Sequence, residues 1–255
     1  MKVSIVTISF NSELTINKTI ESVAMQDYKD IEYIIVDGNS TDNTDMIVKS
    51  YGSKIQKYIR ENDNGLYDAM NKGIKNSSGE VIGFINSDDF LGSKTIISEV
   101  VETFKKTKTD IVFGDTKYVD RFDISKTNRY WAAGEFSIAK FKYGWMPPHL
   151  STYIKKEIYT KFGLFRSDLK IAADYELLLR FIVKNKIKPI YLPKIIAVMR
   201  SGGVSNSSIK NRLVSLYEVY KSWRINKMYV SPLIMIFKPL RKVFQFSKLS
   251  FKNKK

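Results

Sequence analysis

The sequence predicts an α/β fold in which a mostly parallel, mixed sheet is flanked by helices and followed by an amphipathic helical extension. Two observations support this prediction. Over the first 115 residues, short apolar runs rich in β-branched side chains alternate with segments of helical periodicity, which is typical of parallel sheets with right-handed crossovers. Residues 206–255 instead mix bulky apolar side chains with lysine and arginine, as interfacial amphipathic helices do.

The first half of the chain is expected to supply strands and crossover helices in alternation. The predicted strands are residues 3–8, 33–36, 55–59, 81–85 and 111–113. The predicted helices are residues 16–24, 44–48, 67–75 and 94–106. Asn11 and Ser12 are candidate N-cap residues for the first helix, and Ser40 or Thr41 for the second, because short polar side chains cap free backbone N–H groups.

Beyond residue 115 the alternation changes. The expected elements are strands at 117–133 and 150–154, a break at Pro147 and Pro148, an amphipathic helix at 173–185, and short strands at 190–192 and 195–199. The Ser201–Gly203 segment is expected to be a flexible loop.

Composition limits the class of protein. A chain of 255 residues with 44% hydrophobic content can bury one large core, or a core and a small subdomain. The absence of cysteine excludes disulfides, thiolate catalysis and zinc–thiolate sites, and it fits a cytoplasmic protein. We expect no signal peptide and no membrane-spanning helix, since no apolar run approaches about 18 residues.

The net charge of +16 is concentrated at one end of the chain. Residues 206–255 hold 12 lysines and arginines against a single acid, Glu218, whereas the other 205 residues hold 30 basic and 25 acidic side chains. Dense apolar residues between the charges favour an anionic membrane surface over nucleic acid as the partner. A helix packed on the body of the protein, with its lysines in solvent, is the alternative.

Two adjacent acids, Asp88 and Asp89, follow the predicted strand at 81–85. Neighbouring carboxylates repel each other unless a cation or strong hydrogen bonds offset their charge. The carboxyl end of a parallel strand is also where open α/β sheets bind ligands. Hard divalent ions such as Mg²⁺ bridge carboxylates to phosphates, so the pair indicates a metal and phosphate site, with a polar turn as the simpler alternative.

A second acidic loop, Asp37–Asp42, follows the strand at 33–36. An acid at a strand end can accept hydrogen bonds from a nucleobase or a ribose, although the loop also fits a helix cap. The chain has neither the glycine spacing of a dinucleotide-binding loop nor a GxxxxGK[ST] phosphate loop, which argues against NAD enzymes and P-loop hydrolases.

Four segments carry a family resemblance. Residues 3–11, 36–42 and 86–89, at their spacing, resemble family 2 glycosyltransferases with the Rossmann-like GT-A fold. Residues 61–74 resemble a bacterial subgroup that builds exopolysaccharide, O-antigen and colanic-acid-like repeat units. The resemblance covers about residues 1–205, which it implies to be a GT-A catalytic domain. Residues 1–115 would form its nucleotide-binding half and residues 116–205 its acceptor-binding half, leaving residues 206–255 as the tail.

The resemblance implies roles for the nucleotide-sugar site. Phe10 occupies the position of an aromatic ring that packs on the nucleobase, and Asp37 that of an acid that contacts the base. Asn62 and Asp63 fall in the region of base and ribose contacts. Lys72 is a further candidate for donor binding.

The 86–89 segment occupies the place of the family's DXD motif. The resemblance implies that Asp88 binds Mg²⁺ or Mn²⁺, that Asn86 contacts ribose or metal, and that Asp89 faces the donor sugar. Asn86 departs from the family pattern because it replaces the first acid. Met70 also departs, because the family often has an arginine there that contacts the diphosphate; Lys72 or Arg60 are possible replacements.

Asp174 occupies the family's position for the general base, although Ala173 replaces the acid that often precedes it. A helix N-cap is the alternative role for Asp174, and Glu176 is expected to be structural or solvent-facing. His149, the only histidine, falls in a segment where related enzymes often place one, so metal binding, acceptor contact and a structural role remain open. The Arg200–Ser205 segment is a candidate loop over the diphosphate, or a plain glycine turn.

These features predict a metal-dependent inverting glycosyltransferase. Its expected partners are a nucleotide-sugar donor, with UDP most common in the family, and a saccharide or polyprenyl-diphosphate-linked acceptor. The expected location is the cytoplasmic face of the bacterial plasma membrane, reached through residues 206–255. The alternatives are a sugar-phosphate nucleotidyltransferase and a non-catalytic nucleotide-sugar-binding membrane adaptor.

Overall fold

A computed structural model describes residues 1–202 and 208–235. The strands are β1 (Val3–Ser9), β2 (Ile31–Asp37), β3 (Lys57–Arg60), β4 (Val81–Asn86), β5 (Phe90–Leu91), β6 (Ile111–Val119), β7 (Thr127–Trp131), β8 (Thr152–Lys155) and β9 (Ile190–Arg200). The helices are α1 (Ile16–Ala24), α2 (Thr44–Ser50), α3 (Leu66–Asn76), α4 (Ile96–Thr107), α5 (Ile138–Lys142), α6 (Lys156–Phe162), α7 (Ala173–Leu178) and α8 (Ile209–Ile225). Single 3₁₀ turns at Gly52–Lys54 and His149–Ser151, and a π-helical turn at Leu179–Lys184, complete the described elements.

The strands form one mixed sheet in the order β3-β2-β1-β4-β8-β6-β9-β5, with β7 paired to β6. The β1–β2, β1–β4, β2–β3 and β6–β9 pairs are parallel, and the other pairs are antiparallel. Helices flank this sheet, which confirms the predicted fold class. Strands β1, β2 and β4 are almost wholly buried, as expected for strands covered on both faces, whereas the edge strand β3 is partly exposed.

The strand registers bring the polar loops together. Ser9 at the end of β1 pairs with Asp37 at the end of β2, and Ile8 pairs with Asn86 at the end of β4. Asp37 in turn pairs with Arg60 at the end of β3. The loops that leave these four strands therefore start from the same edge of the sheet.

Several predicted element boundaries were wrong. The strand at 111–113 continues to residue 119 as β6, and the predicted strand at 117–133 is interrupted because Asp120 accepts hydrogen bonds from the backbone N–H groups of Phe122 and Asp123. The two short strands at 190–192 and 195–199 form one strand, β9. Pro193 is tolerated within it because the register with β6 shifts at this point, and a proline needs no ladder hydrogen bond at a bulge.

The predicted helix caps were wrong, although α1 and α2 begin at the predicted residues. Helix α1 begins at Ile16 after Thr15, and the carbonyl of Ser12 accepts the N–H groups of both residues, so neither Asn11 nor Ser12 is the N-cap. Helix α2 begins at Thr44, beyond Ser40 and Thr41. The predicted helix at 173–185 is α-helical only as far as residue 178 and then widens into the π-helical turn. Helices α5 and α6 were not predicted.

Residues 208–235 pack against the α/β body. Helix α8 buries Val219, Ser222 and Trp223, and Val230 and Ile234 beyond it are also buried in the core. No helix in the described ranges, 1–202 and 208–235, is long and apolar enough to span a bilayer. Residues 236–255 of the predicted membrane-binding tail, and 203–207 of the predicted loop, lie outside the described residues, so membrane contact stays a prediction.

Candidate active site

Hydrogen bonds join the loops at the carboxyl edge of the sheet. The hydroxyls of Ser12, after β1, and Ser87, after β4, lie 2.7 Å apart. The Ser12 N–H donates to Oγ1 of Thr44, at 2.8 Å, and the Asn11 N–H donates to Oγ of Ser40, also at 2.8 Å. Three loops that are distant in sequence therefore form one connected wall of the site.

Phe10 presents an exposed ring at this edge. Its side chain is 63% accessible, which is unusual for a phenylalanine that follows a buried strand. Asp63 lies beside it across Gly38: a Cβ atom at Gly38 would come within 2.5 Å of Oδ2 of Asp63 and 3.4 Å of the Phe10 ring. Asn62 accepts a hydrogen bond from Nδ2 of Asn39 at 3.1 Å. An aromatic face, an acid and an amide thus meet around a glycine that leaves space between them.

Asp37 is fully buried, and both of its carboxylate oxygens have hydrogen-bond partners. Oδ1 accepts from the backbone N–H and the hydroxyl of Ser40, and Oδ2 accepts from the Tyr58 hydroxyl at 2.9 Å. Arg60 places its Nε 3.8 Å from Oδ2. Asp37 therefore fixes the shape of the loop that carries Gly38, and its predicted contact with a base stays a prediction.

The two cations considered as replacements at Met70 are engaged locally. Nζ of Lys72 lies 3.0 Å from Oε1 of Glu61 and 2.6 Å from the Asn62 carbonyl oxygen. Arg60 donates from Nη2 to the Ser40 carbonyl at 2.7 Å. The Met70 side chain itself is buried in the core. Lys72 thus joins α3 to the loop after β3, and Arg60 joins β3 to the loop after β2; contact of either cation with a diphosphate stays a prediction.

The 86–89 segment forms a tight acidic turn after β4. Asp89 is only 2% exposed and accepts hydrogen bonds from the Arg200 N–H at 2.9 Å and from Nδ2 of Asn86 at 3.3 Å. Burial raises the pKa of Asp89 well above its usual range, and the charge of Asp88 raises it further. Burial also raises the pKa of Asp88, while the positive charges of Arg121 and Arg200 act against this increase. Asp88 is the more open of the two acids.

The donor atoms of this turn suit a hard divalent ion. Oδ1 of Asn86 is buried and has no hydrogen-bond partner among the described residues, and it lies two positions from the carboxylate of Asp88. In the described part of the chain, no group of three or more histidine or acidic side chains is arranged so that it could hold a metal ion. Asp88 and Asn86 thus fit Mg²⁺ or Mn²⁺ only as an ion that draws further ligands from phosphate and water, which is common for such ions.

Arg121 was not predicted from the sequence. It lies in the turn between β6 and β7, where nothing in the local pattern distinguishes it from other surface arginines. The parallel pairing of β6 with β9 sets Val119 opposite Arg200, so both arginines are brought close to Asp88. Nη1 of Arg121 would lie 3.2 Å from a Cβ atom at Gly202, in the segment that follows β9. Two positive charges therefore adjoin the acidic turn.

Asp174 is the second residue of α7 and is partly exposed. Its Oδ1 accepts the Tyr175 N–H at 2.7 Å and lies 3.4 Å from the hydroxyl of Tyr67. The Tyr67 hydroxyl also donates to the Ile171 carbonyl at 2.8 Å. The N-cap of α7 is Ala172, so the structure does not give Asp174 the alternative role of a helix cap.

Tyr118 connects the two acidic regions. Burial raises the pKa of its hydroxyl, the charge of Arg129 opposes this, and the charges of Asp89 and Asp174 both add to the increase. One side chain is thus within electrostatic reach of the acidic turn after β4 and of the acid on α7. Asp89 and Asp174, 85 positions apart in sequence, therefore both act electrostatically on the same side chain. The sequence analysis did not identify Tyr118, because a tyrosine in a strand fits any sheet.

His149 lies in an aromatic setting. Its ring centroid is 5.4 Å from each of the Phe84 and Phe165 rings, and both ring nitrogens are buried without a hydrogen-bond partner among the described residues. Burial lowers the pKa of the imidazole, while the nearby charge of Asp174 opposes this. A neutral ring can bind a metal ion or an acceptor hydroxyl through its nitrogens, so metal binding, acceptor contact and a structural role all stay predictions.

Comparison with known proteins gives consistent results. The family model described as "Glycosyl transferase family 2" matches residues 4–167, well over half of the chain. An uncharacterized glycosyltransferase of Mycobacterium tuberculosis is 32% identical over 181 residues, which cover 70% of this chain and 68% of the relative. A "PGL/p-HBAD biosynthesis glycosyltransferase" of Mycobacterium bovis is 24% identical over 211 residues, covering 81% and 80% of the two chains.

Solved structures share the fold. TarS of S. aureus superposes with a TM-score of 0.69 at 20% identity, covering 92% of this chain but only 41% of TarS. A shorter TarS fragment in complex with UDP-GlcNAc gives a TM-score of 0.69 at 21% identity, and the match covers 89% of this chain and 65% of the fragment. The mannosyltransferase PcManGT of Pyrobaculum calidifontis, in complex with GDP-Man and Mn²⁺, gives a TM-score of 0.66 at 16% identity, covering 93% and 68% of the two chains. At these identities the likeness concerns the fold alone.

Proposed function

The chain belongs to glycosyl transferase family 2, and we propose that it transfers a sugar, with inversion, from a nucleotide diphosphate to a hydroxyl of a saccharide or lipid-linked acceptor. Three features support this proposal. Phe10 and Asp63 lie around Gly38, and the acidic turn at 86–89 lies at the same carboxyl edge of the sheet. Asp174 lies beside the hydroxyl of Tyr67, near the start of α3. The first suits a nucleobase, the second a diphosphate with its cation, and the third an acceptor hydroxyl.

The donor would lie along the carboxyl ends of β1, β2 and β4. Phe10 offers a face for base stacking, and Asp63 and Asn62 offer acceptors for base and ribose groups. A UDP-sugar is the proposed donor because TarS, which shares the fold, is described in complex with UDP and with UDP-GlcNAc. PcManGT is described with GDP-Man, so a GDP-sugar is the second candidate.

The leaving group requires positive charge. Asp88 and Asn86 would hold Mg²⁺ or Mn²⁺, and such an ion, when bound, offsets the charge that develops on the departing nucleoside diphosphate. Arg121 and Arg200 lie on the same side and would add to this stabilisation. Asp89, held by the Arg200 N–H and by Asn86, would face the donor sugar.

Asp174 would act as the general base. Its carboxylate removes the proton from the acceptor hydroxyl, whose oxygen then forms a bond to the anomeric carbon. The bond from that carbon to the diphosphate oxygen breaks on the opposite side, and the electron pair leaves with the nucleoside diphosphate. Tyr67, fixed by its hydrogen bond to Ile171, limits the positions that the Asp174 carboxylate can occupy.

The direct test is turnover of Asp174→Asn. A screen of UDP- and GDP-sugars with Mg²⁺ or Mn²⁺ first identifies the donor by binding and by metal-dependent hydrolysis. The variant is then expected to bind that donor normally but to lose about 10²- to 10⁴-fold in sugar transfer, the usual contribution of a general base. Asp168→Asn, an exposed acid paired with Arg166 just before α7, is the matched control. Full transfer by Asp174→Asn would disprove the assigned base.

For the acceptor and the location, the proposal names a chemical class and a membrane face. We propose a polyprenyl-diphosphate-linked sugar at the cytoplasmic face of the membrane, supported by the basic, apolar composition of residues 206–255. The nucleotidyltransferase alternative has lost its support, because the family match covers the acidic turn and the chain lacks a phosphate loop of that class. Donor binding without any turnover in the screen would instead favour the non-catalytic adaptor.

A further inference from the structure

Glu218, the single acid among the basic residues of 206–255, is buried in the body of the protein. It lies on α8 and is only 6% exposed. Its Oε1 accepts the backbone N–H of Lys170 at 2.8 Å, and its Oε2 accepts those of Ile171 at 2.8 Å and Ala172 at 2.9 Å. One carboxylate therefore binds three consecutive peptide N–H groups.

The buried Glu218 carboxylate is compensated by backbone donors alone among the described residues. A buried carboxylate is unfavourable unless strong hydrogen bonds compensate for lost hydration, and bonds to a charged acceptor are about twice as strong as neutral ones. No lysine or arginine of the described ranges forms an ion pair with Glu218, so the backbone donors supply the compensation. Those donors belong to the residues that lead directly into α7 and Asp174, since Ala172 is the N-cap of that helix.

Helix α8 and its C-cap residue, Asn226, contact the two residues that follow Asp174. Nε1 of Trp223 donates to the Tyr175 hydroxyl at 3.0 Å, and Nδ2 of Asn226 donates to Oε1 of Glu176 at 2.8 Å. From the other side, the Tyr67 hydroxyl on α3 donates to the Ile171 carbonyl. Residues 170–176 are thus held on both sides, and five of their hydrogen bonds come from α8 and its C-cap, Asn226.

We propose that Glu218 is a positioning residue for the transfer reaction: it sets the start of α7 and thereby the place of the Asp174 carboxylate at the acceptor hydroxyl. This inference rests on the proposed function, in which Asp174 is the base. A base must reach its proton at hydrogen-bond distance, and a displacement of about 1 Å at such a group can cost about 100-fold in rate. Glu218 touches neither substrate nor reacting atoms.

The test variant is Glu218→Gln, which keeps the length of the side chain but turns an NH₂ group toward a backbone donor. We expect kcat for sugar transfer to fall about 10- to 100-fold, with the donor KM within about twofold of wild type, because Phe10, Asp63 and Asp88 lie on other elements. Glu218→Ala, which removes all three hydrogen bonds, is expected to lose more kcat than Glu218→Gln. All assays are run well below the melting temperature of each variant.

Glu32→Gln is the matched control for general destabilisation. Glu32 is also a buried carboxylate that accepts a backbone N–H, from Ser78, and side-chain hydroxyls, but it lies near the start of β2, at the edge of the sheet opposite the site. Glu32→Gln is expected to lower the melting temperature and to leave kcat unchanged. Equal kcat losses for the two variants, or a donor KM that rises in parallel with the fall of kcat in Glu218→Gln, would refute the positioning role.

A second variant keeps the proposal testable if Glu218→Gln does not fold. Trp223→Phe retains an aromatic side chain but removes the N–H bond to Tyr175. It is expected to lower kcat about threefold to tenfold with an unchanged donor KM, and an unchanged kcat would count against the proposal. The two hypotheses fail in different ways. Normal turnover of Asp174→Asn would refute the assignment of Asp174 as the base. An inactive Asp174→Asn together with a fully active Glu218→Gln would refute only the positioning role of Glu218.

Discussion

The positive charges that act on Asp88 come from residues that no local sequence motif identifies. The family's usual arginine position is occupied by Met70, which is buried, and Lys72 is already bound to Glu61. Arg121 and Arg200 are the cations whose charges act on Asp88. The diphosphate charge is therefore expected to be balanced from the β6–β9 side of the sheet rather than from α3.

This difference can be measured in donor affinity. Arg121→Ala and Arg200→Ala are each expected to weaken binding of the nucleoside diphosphate about threefold to tenfold, as loss of one partly screened charge contact does. The effect at Arg121, which is exposed, should shrink as salt is raised. Calorimetric titration with and without Mn²⁺ gives the affinities, and Arg166→Ala, in a pair with Asp168, is the control. Affinities equal to that of the control would exclude the arginines from the donor site.

Glu32 gives a prediction for stability against pH. Burial would raise its pKa, but hydrogen bonds from Ser4 and Ser78 and the charge of Lys2 outweigh this and hold the pKa at about 2. A carboxyl whose pKa is lower in the folded state stabilises the fold above its ordinary pKa, near 4.5, and loses that contribution as the pH falls towards 2.

The expected contribution of Glu32 is on the order of 3 kcal/mol at neutral pH. Urea denaturation of wild type and Glu32→Gln between pH 3 and pH 7 measures it. The two stability curves should converge as the pH falls, because protonated Glu32 and glutamine are then both neutral. A constant difference between the curves would contradict the assignment.

For single residues of the site, the sequence predicted the side chains at the strand ends and few others. Phe10, Asp37 and Asp88 each follow an apolar run, so their arrival at one edge follows from parallel pairing alone. The placement of Tyr118 and Arg121 depends on the pairing of β6 with β9, across about 70 residues, and no periodicity specifies that pairing. Likewise, the binding of Lys72 by Glu61 and Asn62 is visible only in the folded loop.

Among the elements, strands β1, β2 and β4 were predicted best, because each is a nearly continuous apolar run. Strand β9 was divided wrongly because Pro193 is an ordinary strand breaker, and only its position at a register shift makes it acceptable. Helices α5 and α6 are five and seven residues long, too short for a clear 3.6-residue period. Helix α8 lies within the predicted basic tail and packs on the body, as the alternative interpretation expected, because a buried stripe runs between its lysines and arginines.

Packing between β4 and β8 leads to a prediction about Gly83. A Cβ atom at this position would lie 2.2 Å from Cε1 of Tyr153, whose side chain is fully buried. Gly83→Ala is therefore expected to destabilise the fold by about 1–3 kcal/mol, the usual cost of overpacking a core. Because β4 ends in Asn86, donor binding should weaken as well.

Chemical denaturation of Gly83→Ala gives the free energy of unfolding, and Tyr153→Leu supplies the control. The smaller side chain leaves space for the alanine, so the double variant is expected to be more stable than the sum of the two single effects predicts. Strict additivity would show that the alanine is accommodated elsewhere and that the contact between Gly83 and Tyr153 is not the cause.

For the whole molecule, the described part of the basic C-terminal segment, residues 208–235, packs on the body of the protein. Val230 and Ile234 are buried in the body, and Asn226 bonds to Glu176 beside the proposed base. Removing everything after residue 224 would therefore damage the core and the active site together, and lost activity could not be assigned to a membrane. Residues 236–255 carry seven lysines and arginines and no acid, so they hold most of the net charge of the 206–255 segment.

A chain ending at residue 235 separates the two roles. Each basic residue near an anionic bilayer contributes roughly 1 kcal/mol, so removing seven should reduce binding to phosphatidylserine-containing vesicles at least about 100-fold. Metal-dependent donor hydrolysis and the melting temperature should stay at the wild-type values, because Glu218 and the core residues up to 235 remain. Vesicles of neutral phosphatidylcholine control for apolar adsorption. Unchanged binding to the anionic vesicles would contradict the membrane role of 236–255, whereas lost hydrolysis would show that these residues also contribute to the catalytic body.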